Sequence, residues 1–208
     1  LVAFEPDASQ RRRYAVALAY LPQTLAWTGM YAELDALGAK LESLSSEHLF
    51  DLMDKVAVIT GGAGLNGLGF ATARMMVAQG AKVAILDLEG ANPQAAAAQL
   101  GADHFGLVGN VTDKASCEAA VAQIKAKFGR IDILVNNAGI TQPVKFLDIT
   151  GGDYDRILDV SLRGTLYASQ AVIPSMIAQK SGSIVCISSV SAQRGGGILG
   201  GPHYSAAK

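Results

Sequence analysis

From residue 55 onward, the chain alternates between short apolar runs and longer segments in which apolar and polar residues are mixed. The runs lie at residues 55–60, 82–86, 104–108, 131–135 and 183–187 and are rich in Val, Ile and Leu. A continuous apolar run of this length, bounded by turn residues, predicts a strand that is buried on both faces. The five runs therefore predict the strands of one covered sheet.

The segments between these runs predict helices. We expect them at residues 68–79, 91–100, 113–128 and 153–179, and we expect Pro174 to bend the last one. Strands that alternate with helices of this length are joined by right-handed crossovers, which produce a parallel sheet with helices on both faces. The prediction is an α/β fold, a doubly wound parallel sheet (Rossmann) in three α/β/α layers, with strand order 3-2-1-4-5.

A different pattern precedes Met53. Apolar residues recur there at spacings of three and four, which places them on one face of a helix: Met30, Leu34, Leu37, Leu41 and Leu44. We predict a helical N-terminal extension at residues 1–52, followed by the Rossmann domain at 53–208. Three interpretations of the extension stay open: an appendage packed on the domain, a stripe that binds a partner, or sequence upstream of a natural start at Met53.

Composition narrows the class of protein. The chain has 208 residues, of which 50% are hydrophobic and 17% charged, so a packed domain is expected. A net charge of -1 gives no reason to expect nucleic acid or a membrane as a partner. Arg11–Arg13 precede an apolar run that Pro22 interrupts and that is too short to span a bilayer, so we expect a cytoplasmic protein.

The two cysteines, Cys117 and Cys186, do not form a Cys-x-x-Cys pair. A zinc site or a disulfide framework is therefore not expected, and no other metal site is predicted. We expect both cysteines to be buried thiols in a reducing compartment.

A glycine-rich stretch, Thr60–Gly69, lies between the first predicted strand and its helix. Glycines let the backbone approach a pyrophosphate, and the helix N-terminus supplies N–H groups and a favourable dipole. Asp87 ends the second predicted strand, where a carboxylate accepts hydrogen bonds from ribose hydroxyls and repels a 2′-phosphate. This pattern favours NAD over NADP as the cofactor.

Four motifs in order resemble those of the short-chain dehydrogenase/reductase family. They are the glycine motif Thr60–Gly69, the Asn-Asn-Ala-Gly sequence at 136–139, the Ile-Ser-Ser sequence at 187–189 and the Tyr-x-x-x-Lys motif at 204–208. Their order and spacing cover residues 53–208. The resemblance implies a Rossmann fold and hydride transfer to or from a nicotinamide cofactor.

The resemblance also implies residue roles. Tyr204 would be the general acid/base, and Lys208, on the same helix face, would stabilise the phenolate and hold the nicotinamide ribose. Ser189 would hydrogen-bond to the reacting oxygen. Ser161 stands where the family usually has an Asn that holds a water in a proton relay. The residues implied in cofactor binding are Gly61, Gly67, Leu68, Gly69, Asp87, Asn110, Val111, Asn137, Ala138, Gly139, Tyr204 and Lys208.

The sequence departs from the family pattern in several places. The glycine motif has two extra residues between Gly61 and Gly67, and Asn110 stands where the family usually has Asp. The loop from Ser189 to Tyr204 is long and glycine-rich, and His203 is interpreted either as a substrate contact or as a surface residue. The family pattern continues beyond the Tyr-x-x-x-Lys motif. We therefore expect a truncated domain with an exposed apolar sheet edge, weak cofactor binding and little turnover.

The resulting hypothesis is an NAD(H)-dependent oxidoreductase that interconverts a secondary alcohol and a ketone on a small molecule. The family commonly forms dimers or tetramers, so a homo-oligomer is expected for the full-length parent. One alternative is a 3-oxoacyl-acyl-carrier reductase that uses NADPH, against which Asp87 argues. An alternative of another class is a non-catalytic dinucleotide-binding or scaffold protein, in which the N-terminal helix recruits a partner.

Overall fold

The computed structural model describes residues 52–195 and 200–208, and all of these except residues 52 and 53 belong to a compact unit that begins at Asp54. The predicted helical repeat from Met30 to Leu44 lies outside the described residues, as does almost all of the predicted 1–52 extension. Residues 196–199 of the glycine-rich loop also lie outside them.

Five parallel strands form one sheet within the described residues. They are β1 (Val56–Thr60), β2 (Lys82–Asp87), β3 (Phe105–Val108), β4 (Ile133–Asn136) and β5 (Ser183–Cys186). Their order across the sheet is β3-β2-β1-β4-β5, and every neighbouring pair is parallel. The predicted order 3-2-1-4-5 and the predicted α/β class are confirmed.

Within the described residues, helices lie between the strands, as the pattern predicts, and also after β5. They are α1 (Leu68–Ala78), α2 (Pro93–Leu100), α3 (Lys114–Phe128), α4 (Gly151–Leu158), α5 (Gly164–Gln179), α6 (Val190–Arg194) and α7 (Pro202–Ala207). The second helix begins later than predicted because Asn92 is left-handed, with φ 52°, and its side chain accepts a hydrogen bond from the Ala95 N–H at 3.3 Å. Pro93 then fills the first helical position, where its missing N–H costs nothing.

The long helix predicted at residues 153–179 is divided. Thr150 and Asp153 form a reciprocal capping box, so α4 begins at Gly151. A π-helical segment, Asp159–Arg163, then separates α4 from α5, and Pro174 lies inside α5. An extra residue in the helical turn is not visible in the hydrophobic periodicity, so the sequence did not predict this segment.

The core lies where the sheet meets its helices. All five residues of β1 are buried, and the largest fully buried side chains include Ile59, Ile85, Ile124 and Leu134. Burial of one such side chain stabilises the fold by about 2 kcal/mol. The core thus holds the central strands, and with them the loops that follow, in fixed positions.

The β5 side of the sheet is open to solvent. Three of the four β5 residues are exposed, and Ile184 is among the exposed large apolar residues, as expected for an apolar sheet edge. Cys186, at the end of β5, is exposed, whereas Cys117 is buried. The prediction of two buried thiols is therefore wrong for Cys186, because among the described residues β5 pairs with a strand on one side only. No helix in the described ranges combines the length and apolar character needed to cross a bilayer.

Candidate active site

The predicted site residues gather at the carboxyl ends of the parallel strands. Thr60 ends β1, Asp87 ends β2, Asn136 ends β4 and Cys186 ends β5. The strand order reverses direction between β1 and β4, and such a point opens a crevice between the loops that leave the two strands. The glycine loop and the Asn-Asn-Ala-Gly sequence border that crevice.

The glycine loop is packed directly against the loop that follows β4. Gly61 has φ +63°, and a Cβ added there would lie 2.7 Å from the Ala138 Cα. A Cβ added at Gly69 would lie 2.6 Å from the Asn137 Nδ2 and 2.8 Å from the Gly61 oxygen. Both positions therefore require glycine, Gly61 for its conformation and for space and Gly69 for space.

The two extra residues of the loop are accommodated by a turn. The Gly67 N–H donates to the Gly64 oxygen at 2.8 Å, which closes an exposed turn over Leu65 and Asn66. Helix α1 then begins at Leu68 with no side-chain cap and no acidic residue in its first turn. Unoccupied N–H groups at a helix N-terminus without a nearby carboxylate favour an anion.

Asp87 is half-buried at the end of β2 and faces the glycine loop. Its Oδ2 accepts a hydrogen bond from the Ala63 N–H at 2.9 Å, and its Oδ1 accepts one from the Leu88 N–H at 2.8 Å. Each carboxylate oxygen can accept a further hydrogen bond. The structure thus brings the predicted ribose-binding carboxylate to the predicted pyrophosphate loop.

Thr60 and Asn137 join the two loops. The Thr60 Oγ1 accepts hydrogen bonds from the N–H groups of Asn137 and Ala138, both at 3.1 Å. In return, the Asn137 side chain donates to the Thr60 oxygen at 3.0 Å and to the Gly61 oxygen at 2.8 Å. Sequence reasoning assigned Asn137 to the site but gave Thr60 no role, although a hydroxyl at the end of a buried strand needs such partners.

Asn110 and Val111 lie just before α3 and make contacts with the residues around its start. The Asn110 Oδ1 accepts hydrogen bonds from the Thr112 N–H at 3.0 Å and from the Thr112 hydroxyl at 2.9 Å, and Asn110 is exposed. Val111 is buried in the core, and a Cβ added at Gly164 would lie 2.7 Å from its Cγ2. In this structure the two residues have local structural partners, and Asn110 is the one that faces solvent.

Lys208 reaches back to the ends of β4 and β5. Its Nζ donates to the Ile187 oxygen at 2.8 Å and lies 3.0 Å from a Cβ placed on Gly139. The Ser161 Oγ lies 3.6 Å from the same point, so the structure brings Lys208, Gly139 and Ser161 together. Burial lowers the pKa of Lys208 from its ordinary value, and the nearby Cys186 opposes that shift.

Ser161 lies in the π-helical segment Asp159–Arg163 and is 4% exposed. Its hydroxyl oxygen has no hydrogen-bond partner among the described residues. Leaving a buried hydroxyl unpaired costs about 1–3 kcal/mol, so the Ser161 hydroxyl suits a hydrogen bond to a water or to a ligand atom.

Ser189 and Tyr204 lie on the two short helices after β5. Ser189 caps α6, and its Oγ accepts a hydrogen bond from the Ser191 N–H at 3.1 Å. Tyr204 is half-buried in α7, and a side chain at Gly200 would overlap its ring. Glycine at position 200 therefore makes room for the Tyr204 ring, a role that the sequence did not reveal.

His203, the residue before Tyr204, is 4% exposed. Its interpretation as a surface residue is wrong, because the ring packs against Gly201 and its Nε2 lies 3.3 Å from the Gln142 Oε1. Gln142 also had no predicted role, and its position in an irregular loop carries no sequence signal.

Comparisons with known proteins agree with this geometry. A family model described as short chain dehydrogenase matches residues 55–208. An uncharacterized short-chain type dehydrogenase/reductase of Sinorhizobium fredii is 53% identical over 76% of this chain and 64% of its own length. Acetoacetyl-CoA reductase of Synechocystis is 42% identical over 76% of this chain and 61% of its own length. D-threitol dehydrogenase of Mycolicibacterium smegmatis is 40% identical over 73% of this chain and 58% of its own length.

The chain spans about three fifths of the length of these curated relatives. The matched region contains all four motifs that carried the resemblance, and the strand order is the one that the resemblance implied. The chain belongs to the short-chain dehydrogenase/reductase family.

Proposed function

We propose that this chain carries the cofactor-binding and proton-transfer residues of an NAD(H)-dependent oxidoreductase that interconverts a secondary alcohol and a ketone on a small molecule. The position of Lys208 carries the proposal. Its ammonium lies against Ile187 and Gly139 at the carboxyl ends of the strands, where the glycine loop also lies. A dinucleotide that lies along the carboxyl ends of the strands would extend from the glycine loop to Lys208. The reaction would draw on the NAD(H) pool of the cytoplasm.

The residues at the carboxyl ends of the strands fit a dinucleotide. The close approach of the loop depends on glycine at Gly61 and Gly69, and the first turn of α1 has neither a side-chain cap nor an acidic residue. A bound nicotinamide would supply or accept the hydride. The residues that would hold the cofactor are Gly61, Gly67, Leu68 and Gly69 at the pyrophosphate, Asp87 at the adenosine ribose, Asn110 and Val111 near adenine, and Asn137, Ala138, Gly139, Tyr204 and Lys208 toward the nicotinamide.

Asp87 supports NAD(H) as the preferred cofactor. Its two oxygens accept backbone N–H groups of Ala63 and Leu88, which fixes the carboxylate at the end of β2. The remaining lone pairs suit ribose hydroxyls, which are donors, and the negative charge would repel a 2′-phosphate.

Tyr204 would transfer the proton. In the reductive direction, its phenol donates a proton to the carbonyl oxygen of the substrate, and in the oxidative direction the phenolate accepts the proton of the alcohol. The Lys208 ammonium would stabilise the phenolate by its charge. The Ser189 oxygen accepts from the Ser191 N–H, which leaves the hydroxyl proton of Ser189 to donate to the reacting oxygen.

Ser161 would hold a water beside Lys208. Its buried hydroxyl has no partner among the described residues and lies within reach of the Gly139 and Lys208 contact. A water there would give the hydroxyl its missing hydrogen bond and would continue a proton path from Lys208.

The substrate class is proposed from the relatives. Acetoacetyl-CoA reductase and D-threitol dehydrogenase have similar sequences, so both an acyl thioester and a polyol are candidates. An NADPH-dependent 3-oxoacyl reductase is the second candidate function, and the acyl-thioester relative favours it, whereas Asp87 argues against the phosphorylated cofactor.

A homo-oligomer is proposed from the solvent-facing side of α5 and of the π-helical segment before it. Four large apolar side chains recur there at helical spacing and are 39–70% exposed: Leu162, Leu166, Ile173 and Ile177. Covering such a stripe in a second copy of the chain would remove this apolar area from water. Multi-angle light scattering of the chain and of Leu166→Asp checks this, since a monomeric wild-type chain would contradict it.

The proposal is tested by fluorescence titration of the chain with NADH and with NADPH in parallel. Saturable binding that prefers NADH is expected, and Asp87→Ala should remove that preference. Turnover, which is expected to be low, is then measured at high enzyme concentration with D-threitol and with acetoacetyl-CoA, with Tyr204→Phe as the comparison. We expect Tyr204→Phe to lower kcat by about 10²–10⁴-fold and to lower NADH affinity by a much smaller factor. No binding of either nucleotide to a folded chain, or full activity of Tyr204→Phe, would overturn the proposal.

A further inference from the structure

A chain of polar contacts runs through Gln142, in the loop between β4 and α4. The Gln142 Nε2 donates to the Asp153 Oδ1 at 2.5 Å, and the Gln142 Oε1 lies 3.3 Å from the His203 Nε2. The backbone oxygen of Gln142 also accepts the Gly201 N–H at 3.0 Å. One residue therefore contacts both the start of α4 and the start of α7.

The chemistry of the partners fixes the direction of each contact. Asp153 can only accept as a carboxylate, so the amide nitrogen of Gln142 must face it. The amide oxygen then faces His203, whose Nε2 must carry a proton to donate. Hydrogen bonds from Thr150 and then from Gln142 lower the pKa of Asp153 to about 2, with a smaller effect from the charge of His203, so this carboxylate stays ionised near neutral pH.

The helix that carries Tyr204 and precedes Lys208 needs such support. Helix α7 has six residues, and its N-cap, Gly201, makes no side-chain hydrogen bond. A helix of this length is not stable by itself in water. Within the described residues, Gln142 supplies two contacts to its start, one to the Gly201 N–H and one to the His203 ring.

We propose that Gln142 is a positioning residue for Tyr204. To hold α7 against α4, the side-chain amide of Gln142 must donate to Asp153 and accept from His203 at the same time. The inference rests on the proposed role of Tyr204 for its meaning in the reaction. The contacts themselves can be tested without turnover.

The test compares Gln142→Glu with the wild-type chain by hydrogen exchange of the segment 200–208 at about pH 5 and at about pH 8. In this variant a protonated carboxyl group replaces the amide, because its O–H donates to Asp153 and its other oxygen accepts from His203. Two carboxylates at this separation share a proton, and the proton is lost as the pH rises. Relative to wild type at the same pH, we expect exchange near the wild-type rate at about pH 5 and about tenfold faster at about pH 8.

Two further variants serve as controls. Gln142→Met removes both side-chain contacts without adding charge, so its exchange should be faster by the same factor at both pH values. Gln142→Glu combined with Asp153→Asn exchanges donor and acceptor, because the amide introduced at position 153 can donate to the carboxylate introduced at position 142 and still accept from Thr150. This double variant should return the exchange at about pH 8 to within about twofold of wild type. Exchange in β1 reports global unfolding and should not change in the two single variants at position 142.

NADH affinity should stay within about twofold of wild type in each variant, and kcat with D-threitol or acetoacetyl-CoA, whichever is turned over, should follow the exchange data. A ratio of Gln142→Glu to wild-type exchange that is the same at both pH values would overturn the inference, and so would wild-type exchange in Gln142→Met. These outcomes do not depend on the role of Tyr204. The expected exchange pattern together with full activity of Tyr204→Phe would instead overturn the proposed function alone.

Discussion

The loops that follow β1 and β5 both lead into the candidate active site, but the two strands lie in different surroundings. All residues of β1 are buried, and β1 pairs with β2 on one side and with β4 on the other. In β5, three of the four residues are exposed, and the strand pairs with β4 alone in the described sheet. The glycine loop is thus attached to the centre of the fold, and the segment that bears Ser189 and Tyr204 is attached to its edge.

The contacts that hold the two loops differ in the same way. The glycine loop is held by main-chain packing without room for a Cβ and by the buried Thr60 hydroxyl. The Tyr204 segment is held by side-chain contacts between residues far apart in the chain, such as Lys208 with Ile187 and Gln142 with His203. We infer that changes in the first region lower the stability of the whole domain, whereas changes in the second mainly alter the position of Tyr204.

The largest expected effect is from Gly61→Ala. The substitution forces a side chain onto a backbone with φ +63° and places its Cβ 2.7 Å from the Ala138 backbone, which cannot move without shifting β4. We expect the free energy of unfolding to fall by about 2–4 kcal/mol, together with loss of NADH binding. Urea unfolding followed by far-UV circular dichroism measures the first quantity, and fluorescence titration measures the second.

Gly64→Ala is the matched control in the same loop. No atom lies within 4 Å of a Cβ added at Gly64, so the free energy of unfolding should change by less than about 0.5 kcal/mol. Equal losses at the two glycines would show that the loop is not held by close packing, and the contrast between the two regions would then be lost.

The next largest effect on the free energy of unfolding is expected from Thr60→Val. Valine has nearly the shape of threonine but leaves the N–H groups of Asn137 and Ala138 without their acceptor, in a place where Thr60 is 1% exposed. We expect a loss of about 2–3 kcal/mol in the free energy of unfolding. Thr60→Ser keeps the oxygen and should cost about 1 kcal/mol for the lost methyl group. If the free energy of unfolding of Thr60→Val is no lower than that of Thr60→Ser, the Thr60 hydroxyl does not stabilise the junction of the two loops.

The central region was the one that the sequence predicted best. Its strands are continuous apolar runs, and the tight turn at Gly61 and the carboxylate of Asp87 both follow such a run directly. Patterns of this kind depend on local chemistry, so the strand order and the facing of Asp87 toward the glycine loop could be inferred without a structure.

The edge region was predicted less well because its contacts join residues far apart in the chain. Gln142 and His203 are 61 positions apart, and neither lies in a periodic segment that would indicate burial. The π-helical segment around Ser161 and the exposure of Cys186 likewise depend on what packs beside them. The Thr150–Asp153 capping box, in contrast, could have been predicted from its spacing.

A smaller effect is expected from Asp153 in acid, on the edge side of the comparison. Its pKa falls from 3.8 to about 2 because it accepts hydrogen bonds from Thr150 and Gln142. A carboxyl whose pKa is lower in the folded state stabilises the fold above its ordinary pKa of 3.8, and that contribution is lost as the pH falls through about 2. Urea midpoints of wild type should therefore decline across this window.

Asp153→Asn separates this carboxylate from the other acidic groups. The variant should have a lower urea midpoint than wild type near neutral pH, and the difference should shrink as the pH falls through the same window. A difference that stays constant down to about pH 2 would mean that the ionised form of Asp153 does not support the cap of α4.

The smallest expected effect concerns the two thiols, one in the core and one at the end of β5. Burial, followed by the charges of Asp113 and Glu118, raises the pKa of Cys117 to about 11, so this thiol is both inaccessible and protonated near pH 8. Cys186 is exposed at the end of β5. In the native chain, a thiol reagent such as DTNB should react rapidly with Cys186 and slowly with Cys117, whereas both should react in denaturant.

Cys186→Ser should abolish the rapid reaction and change the free energy of unfolding by less than about 0.5 kcal/mol, because the contact of this sulfur with the Asn136 side chain, at 3.8 Å, is weak. Cys117→Ser should leave the rapid reaction intact and destabilise the core, since a smaller and more polar hydroxyl replaces a sulfur packed among apolar side chains. The Asn110 and Val111 oxygens, 3.8 and 3.7 Å from the sulfur, offset only part of that loss. Equal rates for the two thiols in the native chain would mean that the edge of the sheet is as well covered as its centre. The contrast between the buried centre of the sheet and its open β5 side would then fail at its most direct measure, solvent access.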